Sequence, residues 1–249
     1  MVGSLGKVGA IVQARVGSSR LPGKVLLKLP FGGSHSIVEN VLLRAMKVPA
    51  VDTVVLATSR EPENDSLASC ANRAGASLFR GSENNVLERF YQAATEHGLK
   101  TIVRLTADNP CIDPANVQRA LDEHAVQGAD YTRTVGLPLG MNVEVFSFGA
   151  LVRVFEAADR DDDKEHVTLY MNRHPASFKI CRLDWAKAGY EDLRMTVDWE
   201  GDYAFACFLY DRLYETEPCF GLDAVMELLD RYPWAKMINR TLRQEQQVL

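Results

Sequence analysis

Three basic side chains, Arg15, Arg20 and Lys24, lie close together in the segment QARVGSSRLPGK near the N-terminus. Glycines and serines separate them, and glycine in particular allows a backbone to approach a ligand closely. Cations next to free backbone N–H groups are well suited to bind phosphate. The segment therefore predicts an anion-binding loop, although its composition alone also fits a solvated basic turn.

Two familiar phosphate-binding motifs do not match this segment. A Walker loop has four residues between its glycines and a Ser or Thr after its lysine. Here five residues separate Gly17 from Gly23, and Val25 follows Lys24. The GxGxxG fingerprint of dinucleotide-binding folds does not follow the apolar run VGAIV either. The loop nevertheless comes directly after a predicted strand, and that position suits a triphosphate.

Two aspartates, Asp108 in LTADNPCIDP and Asp198 in MTVDWEGDY, each follow an apolar stretch. Carboxylates at strand ends can hold a magnesium ion together with phosphate oxygens. Either aspartate alone fits loop capping as well as metal binding, although Asp113 is the better cap for the helix that begins at Pro114. Together with the basic segment, the two aspartates predict a nucleotide–magnesium site that acts mainly by neutralising charge.

Hydrophobic periodicity places these residues among alternating strands and helices. In the first half, strands are predicted at residues 8–12, 52–57, 76–79 and 101–105, and helices at 36–46, 65–74, 85–97 and 113–127. Such alternation predicts a parallel sheet with helices on both faces. Ligands bind these sheets beyond the carboxyl ends of the strands, so the loops after the first, second and fourth strands are expected to share one crevice.

The pattern is less regular after Tyr131. Strands are predicted at residues 140–148, 178–183 and 193–197, and helices at 149–158, 165–172, 202–214 and 222–231. The run DRDDDK (residues 159–164) is interpreted as a solvated loop. No linker, repeat or low-complexity segment interrupts the chain, so one domain is expected over residues 1–249.

Composition restricts the possible functions. The chain has 249 residues and a formal net charge of −5, which argues against broad nucleic-acid binding. Its five cysteines are scattered without a CxxC pair, as expected for a reduced intracellular protein without a zinc site. The first apolar run is too short for a signal peptide or a membrane span, so we expect a cytoplasmic protein that binds neither nucleic acid nor membrane.

Several segments occur in the order found in one enzyme family. They are QARVGSSRLPGKVLL, LATS, FRGSENNVLERFYQAA, VRLTADNPCIDP, VEVFSFGAL, EHVTLYM and MTVDWEGDY. Through these segments, from about residue 8 to about residue 203, the chain resembles the cytidylyltransferases, which include the CMP-N-acylneuraminate and CMP-KDO synthetases. It is most similar to the spore-coat polysaccharide biosynthesis branch.

This resemblance implies an α/β fold: a Rossmann-like three-layer sandwich with a mostly parallel sheet and a small accessory or dimerisation lobe in the second half. It implies an enzyme that uses CTP and Mg²⁺ to transfer CMP to an acceptor, with release of pyrophosphate. The nucleotide-binding half would comprise about residues 8–130. The second half, about residues 131–249, would bind the acceptor and complete the sheet. A homodimer is expected.

The resemblance also assigns roles to individual residues. The nucleotide would be bound by Ala14, Arg15, Gly17, Ser18, Arg20, Lys24, Ala57, Thr58, Arg80 and Ser82. Asp108 and Asp198 would bind the metal, and the catalytic residues would be Arg15, Lys24 and Asp108. The acceptor would contact Asn142, Glu144, Glu165 and His166.

Three positions relevant to the acceptor depart from the family pattern. Asn84, Asn85 and Asn142 stand where the branch commonly has aspartate. Fewer carboxylates would suit a strongly anionic acceptor, and we hypothesise a sugar acid, such as a nonulosonic acid, or a phosphonate. One alternative is a nucleotide-sugar-dependent glycosyltransferase of polysaccharide synthesis, which is disfavoured because no DxD triplet lies at a strand end. The other alternative is a catalytically inactive nucleotide-binding module.

Overall fold

A seven-stranded sheet forms the centre of the protein in a computed structural model that describes residues 4–242. The strands are β1 (Val8–Gln13), β2 (Thr53–Ser59), β3 (Ser77–Gly81), β4 (Thr101–Thr106), β5 (Tyr131–Val135), β6 (Glu144–Ser147) and β7 (Ile180–Asp184). Their order across the sheet is β3-β2-β1-β4-β6-β5-β7. β6 runs antiparallel to both of its neighbours, and the other pairings are parallel. The mostly parallel sheet expected from the sequence is therefore confirmed.

Helices connect the strands. They are α1 (Ile37–Ala45), α2 (Asp65–Ala74), α3 (Val86–Glu96), α4 (Pro114–Gln127), α5 (Phe148–Ala157), α6 (Asp161–Glu165), α7 (Leu169–Arg173), α8 (Glu200–Leu213) and α9 (Leu222–Arg231). Ser36 caps α1 through a reciprocal pair of hydrogen bonds with Glu39. Gly75 ends α2 with a φ of 77°, a left-handed conformation that glycine adopts without strain. The four helices predicted for the first half are confirmed.

Apolar side chains cover both faces of the sheet. One core lies beneath α1, α2 and α4 and includes Val41, Leu67 and Leu121. The other lies beneath α3, α5 and α7 and includes Phe90 and Leu151. Because β1 is buried on both faces, its sequence is apolar along nearly its whole length. These two cores make the three-layer sandwich that the resemblance implies.

A third apolar cluster lies beyond the sheet and joins α8 and α9 to the rest of the protein. Arg44, near the end of α1, fixes this C-terminal lobe to the sheet layer. It is 1% exposed, and its guanidinium donates to the backbone carbonyls of Ile112, Pro218 and Phe220. Ile112 belongs to the loop between β4 and α4, so the lobe is tied to the loop that follows Asp108.

The strand predicted at residues 193–197 is wrong. This segment forms no strand of the sheet, and a single parallel bridge joins Arg194 to Leu139. Its apolar residues alternate with polar ones as they do in a strand, but they are buried in the third cluster. The buried residues are Leu193, Met195 and Val197. The alternation therefore reflects burial against a neighbouring turn and not pairing within the sheet.

The run DRDDDK is not the solvated loop that its composition predicts. Residues Asp161–Glu165 form α6, and the side chain of Asp163 is buried. Arg173 on α7 binds Asp162 at 2.5 Å and Asp163 at 3.0 Å. Acidic residues are favoured in the first turn of a helix because they complement its dipole. The helix predicted at residues 165–172 is accordingly confined to Leu169–Arg173.

The middle of the sheet differs from expectation at two places. No strand is predicted at Tyr131–Val135, yet β5 lies there, with the hydroxyl-bearing Thr132 buried in its interior. The strand predicted at residues 140–148 is confirmed only at Glu144–Ser147. The residues before it form a turn in which Gly140 has a φ of 92°, and a Cβ there would lie 2.6 Å from the backbone nitrogen of Thr196. A glycine is needed at this close contact.

The five cysteines are all unpaired. Burial raises the pKa of the Cys111 thiol to about 11, so this residue acts as a small apolar side chain at neutral pH. Across residues 4–242, no helix is both long enough and apolar enough to span a membrane.

Replacing Arg44 with methionine tests the link between the lobe and the sheet. Three carbonyl oxygens, two of them buried, would lose their donor, and we expect the free energy of unfolding in urea to fall by about 3 kcal/mol. Arg231→Met, on the exposed face of α9, is the matched control and should change it by less than about 0.5 kcal/mol. Equal losses in the two variants would contradict the assignment.

Candidate active site

A cleft of about 820 Å³ opens beyond the carboxyl ends of β1 and β4. Its lining contains most of the site residues predicted from the sequence. They are Ala14, Arg15, Gly17, Ser18, Arg20, Lys24, Asp108, Glu165, His166 and Asp198. The loops after β1 and β4 thus share a crevice as expected, whereas the loop after β2 contributes no residue to the lining.

Lys24 joins three segments that are far apart in the sequence. Its Nζ lies 2.8 Å from Oδ2 of Asp108 and 2.9 Å from Oδ1 of Asp198. Nη2 of Arg20 lies 2.7 Å from the same oxygen of Asp198. The side chains of Lys24 and Asp198 are 9% and 7% exposed, so solvent screens their attraction only weakly. Two carboxylates therefore share one buried ammonium group.

Gly23 sets the direction in which Lys24 points. Its φ of 68° lies in the left-handed region that residues with a Cβ rarely adopt. Its N–H donates to the carbonyl of Val16 at 3.2 Å and closes the loop after β1. The chain then enters the short 3₁₀ turn Lys24–Leu26, which places the lysine side chain in the cleft.

Asp108 is held by the end of β4. Thr106, the last residue of that strand, donates through Oγ1 to Oδ1 of Asp108 at 2.6 Å. The N–H of Val197 donates to the carbonyl oxygen of Asp108 at 2.8 Å, which ties the two aspartate-bearing segments together. Burial alone would raise the pKa of Asp108, but the Lys24 ammonium and the Thr106 hydroxyl bring it below its usual value. The carboxylate is therefore ionised at neutral pH.

Asp202, in the first turn of α8, supports the backbone at Asp198. Its carboxylate accepts the N–H groups of Asp198 and Trp199 at 3.0 and 3.2 Å. Arg194 and Asn239 donate to the same carboxylate, with distances of 3.1 and 2.9 Å. Because these groups are buried, the hydrogen bonds hold Asp198 in a fixed position in the cleft wall.

Asp108 and Asp198 fit a divalent cation whose other ligands come from a nucleotide. Both already bind one positive group, the Lys24 ammonium, at hydrogen-bonding distance. Mg²⁺ is commonly held by one or two carboxylates together with substrate phosphates and water. No cluster of three or more His, Cys, Asp or Glu residues suited to a metal occurs within residues 4–242. The aspartate pair therefore suits Mg²⁺ that arrives with a triphosphate.

Four residues predicted to bind the nucleotide lie outside the cleft lining. Ala57 and Thr58 are fully buried in β2. Arg80 forms an ion pair with Asp65 at 2.6 Å, and Ser82 accepts the N–H of the residue that caps α3. Arg80 and Ser82 thus have structural contacts, and contact of any of the four residues with a nucleotide stays a prediction.

The four residues predicted to contact the acceptor divide into two groups. Glu165 and His166, at the end of α6, line the cleft. Asn142 and Glu144 do not: the side-chain amide of Asn142 donates to the carbonyl of Leu137 in its own turn at 3.3 Å. The acceptor role of all four residues stays a prediction.

Glu144 contributes indirectly by fixing a cleft residue. It binds Arg104, which lines the cleft, and accepts hydrogen bonds from the hydroxyls of Tyr131 and Thr168. Burial would raise the pKa of Glu144, but Arg104 and the two hydroxyls lower it below its usual value. The ionised carboxylate therefore holds the Arg104 guanidinium in place.

Glu83 and Arg89 also line the cleft, although no motif in the sequence assigns them a role. Arg89 is 4% exposed and lies on α3 among the buried residues Val86 and Phe90. A charged residue on the apolar face of an amphipathic helix is the sequence feature that identifies such a position.

Comparisons with known proteins cover nearly the whole chain. A family model described as cytidylyltransferase matches residues 9–217. The spore coat polysaccharide biosynthesis protein SpsF of Bacillus subtilis is 35% identical, over 90% of this chain and 94% of that protein. The 3-deoxy-manno-octulosonate cytidylyltransferase of Aeromonas hydrophila is 26% identical, over 77% of this chain and 86% of that protein. The solved structure of a cytidylyltransferase from Leptospira borgpetersenii superposes with a TM-score of 0.84 at 26% identity, covering 96% of this chain and 99% of that one. The chain therefore belongs to the cytidylyltransferase family of nucleotidyltransferase enzymes.

Proposed function

We propose that the protein transfers CMP from CTP to a small anionic acceptor, a sugar acid or a phosphonate, in a Mg²⁺-dependent reaction that releases pyrophosphate. The observation that carries this proposal is the shared contact of Asp108 and Asp198 with Lys24 at the cleft. Two carboxylates for a metal and several cations for phosphate oxygens are what transfer of a nucleotidyl group requires.

The reaction forms one bond and breaks another at the α-phosphorus of CTP. An acceptor oxygen attacks that phosphorus, the bond to the β-phosphate bridging oxygen breaks, and pyrophosphate departs with the electron pair. Asp108 and Asp198 would hold a Mg²⁺ ion, which would supply positive charge near the phosphate oxygens. Further positive charge would come from the side chains of Arg15, Arg20 and Lys24. Of these, Arg15 lines the cleft with no carboxylate partner among residues 4–242.

The proton requirement depends on the acceptor. An acidic oxygen of a phosphonate is already ionised at neutral pH and attacks without a base. A sugar hydroxyl must lose its proton, and we propose that Glu165 or His166, which line the same cleft, receives it.

Asn84, Asn85 and Asn142 do not support the proposal of an anionic acceptor equally. Asn85 caps α3, where its Oδ1 accepts the N–H of Glu88 at 2.9 Å, and Asn142 lies outside the cleft. Asn84 alone of the three lines the cleft. An uncharged residue there keeps a negative charge away from an acidic acceptor. The relatives support the same class, because one is a 3-deoxy-manno-octulosonate cytidylyltransferase and another a polysaccharide biosynthesis protein.

A homodimer is part of this proposal. Four large apolar side chains among residues 4–242 are exposed: Phe31 by 77%, Val126 by 58%, Trp234 by 58% and Met237 by 60%. Apolar surface of this kind favours contact with another protein surface.

Release of pyrophosphate measures the proposed reaction directly. We expect release from CTP, and not from ATP, GTP or UTP, when Mg²⁺ and a panel of sugar acids and phosphonates are supplied, together with a CMP adduct of one acceptor. Binding of CTP without turnover on any acceptor would instead identify an inactive nucleotide-binding module. Turnover of a nucleotide sugar without use of CTP would identify a glycosyltransferase.

Neutralising either carboxylate tests the metal site. Asp108→Asn and Asp198→Asn should each lower Mg²⁺-dependent turnover by roughly two to three powers of ten, because each removes one of the two protein ligands. Asp223→Asn, at an exposed position of α9, is the control and should keep wild-type turnover. Urea unfolding separates loss of the site from loss of the fold. Wild-type turnover in either site variant would show that the metal assignment is wrong.

Lys24→Met tests whether the ammonium serves both phosphate and carboxylates. The variant should bind CTP at least about tenfold more weakly, because a hydrogen bond to a charged group is lost. Its two carboxylates would lose their shared cation, so Mg²⁺ alone should raise its melting temperature more than that of the wild type. Lys47→Met, at an exposed position, is the control. A lower melting temperature with unchanged CTP affinity would assign Lys24 a purely structural role.

A further inference from the structure

Three arginines lie in register across four adjacent strands of the sheet. Arg104 of β4 and Arg133 of β5 both pair with Glu144 of β6, and Arg133 also pairs with Arg182 of β7. Residues that pair between neighbouring strands project from the same face of a sheet. Arg104, Arg133 and Arg182 therefore form an arginine row that has one carboxylate, Glu144, within it.

The row lies on the sheet face that α3, α5 and α7 cover. The residues two positions before the arginines, Ile102, Tyr131 and Ile180, pack in the apolar core of that face. Side chains two residues apart in a strand share a face. The row therefore begins where this core ends, towards the carboxyl ends of β4, β5 and β7.

The positive charge of the row is balanced at Arg104 but not at the other two arginines. Arg104 forms an ion pair with Glu144, whereas neither Arg133 nor Arg182 forms an ion pair within residues 4–242. Nε of Arg133 also has no hydrogen-bond partner in this part of the chain. The excess of positive charge is therefore located between β5 and β7.

Arg133 and Arg182 face each other with like charges. They are direct register partners in strands about 4.8 Å apart, and like charges directly opposite each other destabilise a sheet. Arginine stays protonated at neutral pH, so neither residue relieves the repulsion by losing a proton. Asp184, on the same face of β7, instead accepts the N–H of Ala186 at 3.1 Å. An anion from outside the chain would remove the repulsion.

The backbone holds β5 and β7 together just beyond the two arginines. The N–H of Trp185 donates to the carbonyl of Val135 at 2.9 Å. Gly136 follows with a φ of 84°, and a Cβ there would lie 2.6 Å from the backbone nitrogen of Ala186. This close contact fixes the register of the two strands, so the arginines do not separate by a shift of the backbone.

We propose that Arg133 and Arg182 bind a tetrahedral oxyanion, a phosphate or phosphonate group, at a site beside the cleft. A guanidinium presents a planar fork of N–H donors that matches phosphate oxygens. A tetrahedral group directs its oxygens towards both forks at once, whereas a planar carboxylate offers two oxygens in one plane. Arg182 is exposed and Arg133 is partly exposed, so the anion enters from solvent at the edge strand β7.

This site is separate from the basic loop after β1. β5 lies three strands from β1, a separation of roughly 15 Å, and neither Arg133 nor Arg182 lines the cleft. A phosphate bound there leaves the loop free for a nucleotide. The inference thus goes beyond the proposed function, which concerns the cleft.

The oxyanion has two possible sources. One is free phosphate, and the other is a phosphate or phosphonate group at the far end of an extended acceptor. Arg104 lines the cleft and lies two strands, or roughly 10 Å, from Arg133. An acceptor that reached the site would therefore pass Arg104.

Titration of inorganic phosphate into the full-length protein tests the site, with CTP and Mg²⁺ present to fill the cleft. We expect phosphate to bind the wild type, and to bind Arg133→Gln and Arg182→Gln each about 10- to 150-fold more weakly, because each loses a hydrogen bond between charged groups. Arg231→Gln, at an exposed position of α9, is the control and should keep the wild-type phosphate affinity. Equal phosphate affinity in all four proteins, or no binding to the wild type, would overturn the inference.

A melting comparison needs no nucleotide, so its result is independent of the proposed function. At low ionic strength without phosphate, Arg182→Gln should melt at a higher temperature than the wild type, because the repulsion from Arg133 is removed. Added phosphate should raise the melting temperature of the wild type more than that of the variant. A variant that melts below the wild type in phosphate-free buffer would contradict the inference, while release of pyrophosphate from CTP would still uphold the proposed function.

A sugar acid and its phosphate ester, compared as acceptors, distinguish the two sources. If the group belongs to the acceptor, Arg133→Gln and Arg182→Gln should raise the KM of the ester alone and leave kcat unchanged. If the anion is free phosphate, both variants should keep the wild-type KM for both acceptors and still lose phosphate affinity. Either result upholds the site and identifies its ligand.

Discussion

The ammonium group of Lys24, held between the carboxylates of Asp108 and Asp198, is the contact on which the rest of the site depends. Two carboxylates that converge on one point with little solvent between them repel each other unless a cation separates them. The chain supplies this cation from the loop after β1, and the contact draws together segments from both halves of the sequence. Lys24 and a divalent metal ion thus satisfy the same electrostatic requirement, which explains why a lysine stands next to a predicted metal site.

The C-terminal lobe fixes the position of Asp198 in its contact with Lys24. Asp198 would be a poorly fixed loop residue without the buried carboxylate of Asp202, which binds the backbone N–H of Asp198 and the side chains of Arg194 and Asn239. Arg44 then links the lobe to the loop after β4. The second half of the chain therefore positions one of the two carboxylates, and the first half positions the other. The pairing of Lys24 with the two carboxylates in the cleft therefore requires both halves of the chain to be folded.

Local sequence patterns are sufficient to predict most of the secondary structure in the first half. Its helices have an apolar stripe and, in α1, a cap at Ser36, and its central strands are buried on both faces. In the second half, contacts with distant residues decide the structure. In residues 193–197, apolar and polar residues alternate as in a strand, but the segment packs against a turn. The acidic residues of α6 form a helix that Arg173 stabilises through an ion pair. The same distinction applies to the cleft. Asp108 was predictable because strand ends converge, whereas Arg89 is recognisable only once its helix face is seen to border the cleft.

The reversed direction of β6 determines which of its two flanking segments borders the cleft. Because β6 is antiparallel to β4, its first residue, Glu144, pairs with Arg104 near the carboxyl edge of the sheet. The loop that borders the cleft there precedes the strand, and it contains Gly140. A change of length in residues 136–143 therefore reshapes the cleft, whereas an insertion after Ser147 would fall at the far edge. The segment before β6 therefore forms a further part of the cleft wall, beside the loops after β1 and β4 that hold Lys24 and Asp108.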